Sequence, residues 1–126
     1  MMLVAVALGG ALGASLRYLT GGWALRTFGT AFPYGTLTVN VAGSLAMGIL
    51  AAIFIARGQG TGSPVAAFAM TGVLGGFTTF SAFSLDAVVL LEKGRMLAAM
   101  TYIGGSVAAS IIALFVGLSL TRAMLS

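Results

Sequence analysis

The chain of 126 residues contains no cysteine and no histidine, and only two acids, Asp86 and Glu92, and two prolines. Without cysteine there is no disulfide framework and no thiolate chemistry. Without histidine the commonest general base and metal ligand is missing. No nucleophile–base pair, phosphate-binding loop or intramembrane metal cluster stands out, so the sequence reads as a non-enzyme. Charge is scarce altogether, at 6% of residues, with six basic residues giving a net +4. On so apolar a chain that excess reads as charges flanking a lipid surface, with no nucleic acid as partner.

What is abundant is apolar surface. Hydrophobic residues make up 60% of the chain and the mean hydropathy is +1.13. A soluble domain of this size has nowhere to hide so much apolar area, which implies an all-α integral membrane protein with the bilayer as partner. A span needs about 20 apolar residues to cross about 30 Å of hydrocarbon, and residues 2–20, 35–56, 65–91 and 97–121 qualify. They form a single transmembrane domain over 1–126. The connections GGWALRTFGTAFPY, ARGQGTGSP and LEKGRM carry turn formers, charges and the interfacial aromatics Trp23 and Tyr34. ALGAS resembles a small-residue cleavage site, but no positive residue precedes the apolar run, so the first stretch reads as a span.

Four spans put both termini on one side, with Arg57 and Arg122 there and Arg17, Arg26, Lys93 and Arg95 on the other. The bias is too small to fix an orientation, and a chain that inserts both ways is able to form antiparallel dimers.

The polar residues inside the spans are patterned. Thr36, Asn40 and Ser44 recur every four residues on the second span, and Tyr102, Ser106 and Ser110 do the same on the fourth. Asn40 has too many amide donors to satisfy on its own helix, so it is either glue between helices or part of a polar path. None of these groups titrates near neutral pH, which suits a desolvated ion better than a proton relay. Arg17 near the end of the first span reads equally as a snorkelling side chain or as an anion attractor at a water-filled mouth. The third span carries GGFTTFSAFS, residues 75–84. Two glycines followed by two threonines favour a helix break, which frees carbonyls such as those of Gly75 and Thr78 for a small cation. Phe77, Phe80 and Phe83 make either a packing stripe or, with Thr79 and Ser81 interleaved, a wall whose ring edges meet a small anion.

The segments GGALGASLRY, GTLTVNVAGS and TGVLGGFTTFSAFS, in this order across four spans, resemble the Fluc/CrcB fluoride channels over essentially the whole chain. The resemblance implies an antiparallel, dual-topology homodimer in the inner (plasma) membrane, with a break in the third helix, two fluoride pores and a structural sodium ion at the dimer centre. It implies that Phe80, Phe83, Asn40, Thr79 and Ser81 line the pore and that Tyr102, Ser106 and Ser110 form a polar track. Gly75 and Thr78 would ligate sodium through backbone carbonyls, and Arg17 would stand at the vestibule. The implied activity is passive, fluoride-selective export that lowers cytoplasmic fluoride and confers fluoride resistance. Two positions depart from the pattern: Asp86 stands where Glu is expected, and Ala82 where a hydroxyl is common.

Two other readings compete. A small four-span proton-coupled multidrug transporter needs an embedded carboxylate, and only Asp86, toward the end of the third span, is available. A noncatalytic membrane assembly subunit would use the polar residues as glue alone.

Overall fold

Within lipid every backbone polar group has to be satisfied inside the protein, and a helix does this within one segment. The computed structural model describes residues 1–58 and 62–126, and its spans are helical apart from one interruption in the third. Residues 59–61, within the connection ARGQGTGSP, lie outside the described residues. We label the helices α1 (Met2–Phe28), α2 (Tyr34–Ala56), α3 (residues 64–77), α4 (Phe80–Glu92) and α5 (Met96–Leu125). The rod α3 joins a short α-helical turn, Pro64–Ala66, to a π-helical stretch, Ala67–Leu74, and a last α-turn, Gly75–Phe77. Together α3 and α4 make the third span, so among the described residues four helical units are long and apolar enough to cross a membrane.

The first helix is longer than its apolar run. It continues through GGWALRTF, which the sequence assigns to a connection, and ends only where Gly29 turns to φ 79° and its amide returns to the Leu25 carbonyl. Gly21 does not break α1 because its bare backbone has another use: a Cβ at Gly35, the second residue of α2, would lie 3.2 Å from the Gly21 Cα. Here two helices begin and end against each other.

Helices in lipid gain little from apolar burial and associate through close packing at small residues. The most extensive packing joins α2 to α5, and the next joins α1 to α3. A Cβ on Gly117 of α5 would sit 2.6 Å from the Leu45 carbonyl oxygen of α2, and one on Gly76 would sit 2.7 Å from the Gly10 carbonyl oxygen of α1. Both are closer than real side chains tolerate, so these two crossings depend on glycine. The remaining helix, α4, lays Phe83, Ala87 and Leu90 against Ala99 and Tyr102 of α5, forming the main buried cluster.

The interruption in the third span falls at the two threonines of GGFTT and leaves its glycines helical. Gly75 is helical, at φ −62° and ψ −37°, and the extended residues are Thr78 (φ −84°, ψ 161°) and Thr79 (φ −155°, ψ 116°). Gly76 serves the crossing with α1, and the threonines carry the break.

Candidate functional site

Opening a helix inside a membrane releases amides and carbonyls that need new partners. At Thr79 both come from one side chain. Asn40 Oδ1 accepts from the Thr79 amide at 2.8 Å, and Asn40 Nδ2 donates to the Thr79 carbonyl at 3.1 Å. The side-chain amide thus pairs with the peptide as a neighbouring strand would. The threonine hydroxyls finish the ends: Thr78 Oγ1 donates to the Leu74 carbonyl at 3.0 Å, closing α3, and Thr79 Oγ1 accepts from the Ala82 amide at 3.1 Å, capping α4. Arg17 reaches across from α1, its Nε donating to the Gly76 carbonyl at 3.1 Å. A guanidinium at that point also opposes the negative end of α3.

Beside this junction runs a cavity of about 350 Å³ between α2, α4 and α5. Its polar lining comes from Asn40, Ser44, Thr78, Thr79, Ser106 and Ser110, and its aromatic lining from Phe80 and Phe83. Asn40 and Ser44 of α2 and Ser106 and Ser110 of α5 therefore face one space, although the two helices are far apart in sequence, while Thr36 lines neighbouring cavities. Asn40 spends one of its amide hydrogens on Thr79 and keeps a second. Ser106 is 4% exposed, and among the described residues its hydroxyl has no partner. The Phe80 and Phe83 rings lie 5.6 Å apart at 46°, with Phe83 buried and Phe80 78% exposed. Among the described residues no lysine, arginine, aspartate or glutamate lines this cavity. It offers a small anion hydroxyl and amide donors and ring edges, with no fixed charge to trap it.

Residues 4–118 match the family model described as CrcB-like protein, Camphor Resistance (CrcB). The chain belongs to the CrcB family. It is 55% identical over 119 residues to the fluoride-specific ion channel FluC of Rhizobium meliloti (strain 1021), covering 94% of each chain. It is 55% identical over 123 residues to that of Chelativorans sp. (strain BNC1), covering 98% of each. To that of Rhodopseudomonas palustris (strain BisB5) it is 51% identical over 124 residues, covering 98% of this chain and 99% of the relative.

The other site candidates of this CrcB chain lie around the cavity in different settings. Tyr102 does not face it. The residue is 1% exposed, its ring 5.2 Å from that of Phe83, and its hydroxyl donates to Asp86 Oδ2 at 3.1 Å. Ser81 stands 3.3 Å from the Thr79 hydroxyl at the start of α4. Arg17 lines a second cavity of about 490 Å³ with Arg26, Thr36 and Thr79, so it borders open space while holding the break. Gly75 is exposed near the end of α3, and Thr78 is half-buried where it lines the cavity. Because the Thr79 amide goes to Asn40, the Gly75 carbonyl loses the donor that a continuous helix would supply. Among the described residues no donor reaches the Thr78 carbonyl.

Two pairings were not legible in the sequence. The bidentate use of Asn40 on a backbone 39 residues away has no local signal. The Asp86–Tyr102 bond has only a general one: a lone acid in an apolar span needs a partner.

Proposed function

We propose that the chain is a fluoride-selective channel of the cell membrane, which lets fluoride leave the cytoplasm passively and so lowers its concentration there. The observation that carries this reading is the uncharged donor-rich cavity at the break, in a chain more than half identical to proteins named as fluoride-specific ion channels. Fluoride is small and strongly hydrated, so a narrow path must replace water with other donors. Asn40, Thr79, Ser106 and Ser110 supply them, and Phe80 and Phe83 supply ring edges. Ser81 lies at the α4 end of the same path, and Tyr102 backs Phe83. Arg17, whose charge stands outside the cavity, raises the local anion concentration at its mouth. No ATP-binding motif is apparent in the sequence, so the fluoride gradient itself is the driving force.

The functional unit in this reading is an antiparallel homodimer of dual topology. Its support is the weak basic asymmetry of the sequence together with Phe80, a large ring left 78% exposed beside an open cavity that a second copy would cover. The carbonyls of Gly75 and Thr78 suit a hard cation such as sodium, which takes oxygen ligands, and two copies would double the set. Bound there, sodium would neutralise carbonyl ends that face no donor.

The experiment is fluoride efflux from liposomes containing the purified protein, followed with a fluoride electrode. Efflux well above that of empty liposomes is expected. A correctly folded protein that releases no more fluoride than empty liposomes defeats the channel reading. Uptake of a lipophilic organic cation driven by a proton gradient, in place of fluoride efflux, would point to the transporter.

A further inference from the structure

The loop between α1 and α2 is short, five residues from Gly29 to Pro33, and it is fixed more firmly than a surface connection needs to be. Gly29 sets its start with φ 79°. At its end Pro33, at φ −79° and ψ 67°, is the centre of an inverse γ-turn, with the Tyr34 amide donating to the Phe32 carbonyl at 2.8 Å. Between them the guanidinium of Arg95, from the connection before α5, donates to the Ala31 carbonyl. All three restraints flank a single residue, Phe32.

The Phe32 ring points inward. It meets the Tyr102 ring edge-on, at 5.4 Å and 89°, and packs against the α4–α5 cluster. Tyr102 in turn lies 5.2 Å from Phe83, whose ring is 5.6 Å from Phe80. Phe32 also stands between two spaces: a cavity of about 390 Å³ that reaches Asp86, and an apolar groove of about 580 Å³ that reaches Ser106. Removing its ring would join them and free one face of Tyr102.

We propose that Phe32 is a positioning residue for conduction, acting through Tyr102 to hold the Phe83 ring at the cavity wall. The Asp86 hydrogen bond fixes only the tip of Tyr102; the plane of its ring is set by the rings on either side. Phe83 and Tyr102 come from the third and fourth spans, so a swing of Tyr102 displaces the edge that Phe83 presents. The inference rests on the fluoride-conduction reading, and Arg95 shares in it by anchoring the loop.

The test is fluoride efflux from liposomes, with size-exclusion elution and thermal stability of each purified variant recorded alongside. Phe32→Ala is expected to lower flux by about tenfold, Phe32→Tyr to restore it to within about twofold, and Arg95→Gln to lower it by roughly threefold. Phe28→Ala, which removes a ring packed on Trp23 and Tyr34 but not on Tyr102, should stay within about twofold of the unmodified protein. If Phe32→Ala does not yield folded protein, Phe32→Leu decides: it fills the space without a ring edge and should lose about fivefold. Unmodified protein that conducts while Phe32→Ala or, in its place, Phe32→Leu conducts equally well overturns the inference and leaves the channel reading standing. Phe28→Ala as damaging as the Phe32 variant also overturns it. Unmodified protein that does not conduct removes the channel reading instead.

Discussion

Replacing Asn40 with leucine keeps the size of the side chain and removes both hydrogen bonds to Thr79, at 2.8 and 3.1 Å. The Thr79 amide and carbonyl are then left facing a cavity instead of a partner. Hydrogen bonds between helices in membranes average about 0.6 kcal/mol, which sets a floor near 1 kcal/mol for the pair. An unsatisfied buried donor or acceptor costs about 1–3 kcal/mol, which sets the ceiling when neither group finds a substitute. Thr79 is half-buried and water in the cavity would recover part of the loss, so the expected cost is about 2 kcal/mol. Unfolding of the purified protein in mixed micelles by added denaturing detergent measures it. Thr38→Val is the control, because among the described residues the Thr38 hydroxyl bonds only to the Tyr34 carbonyl of its own helix, at 2.7 Å. That change should cost less than about 0.5 kcal/mol. An Asn40→Leu variant as stable as the control would refute the idea that the side-chain amide holds the break.

Phe80→Ile and Phe83→Ile should each lower fluoride efflux by about tenfold or more without dissociating the protein, because aliphatic carbons have no positive edge to offer an anion; flux unchanged in either variant marks that ring as packing alone. Gly117→Val should destabilise the α2–α5 crossing by about 1–3 kcal/mol in the same unfolding assay, since the added carbon starts 2.6 Å from the Leu45 carbonyl oxygen. Unfolding cooperativity at the stability of the unmodified protein would show that the helices separate without cost. Exchanging sodium for a bulky organic cation should lower thermal stability in a concentration-dependent way, as expected when a ligand binds only the native state; a melting temperature indifferent to sodium removes the proposed ion.

The broad architecture was legible because lipid imposes it. Four long apolar helical units stand where four apolar runs were read, although α1 continues to Phe28, and the four-residue spacing of Asn40 and Ser44 and of Ser106 and Ser110 identified the faces of α2 and α5 that line one cavity. What escaped the sequence depended on contacts between spans. Gly75 and Gly76 look like part of the break by propensity, yet both are helical, and at Gly76 α1 crosses so closely at Gly10 that only glycine fits. Gly21 and Gly22 look like the end of α1 for the same reason and are not. Tyr102 has the spacing of Ser106 and Ser110, but its longer side chain reaches past the cavity to Asp86, where one methylene less than glutamate still permits a 3.1 Å hydrogen bond. Arg17 was open between a snorkelling side chain and an attractor, and the structure adds a bond to the Gly76 carbonyl that neither reading contained.

The measurement closest to the proposed conduction is the reversal potential of the purified protein in a planar bilayer, with fluoride salt on one side and an equal concentration of chloride salt on the other. A current that reverses far toward the fluoride equilibrium potential is expected on the proposed reading, in which the uncharged cavity takes a small anion in place of water and excludes a larger one. A current reversing at zero, or no current from protein that is folded and inserted, would contradict fluoride-selective conduction.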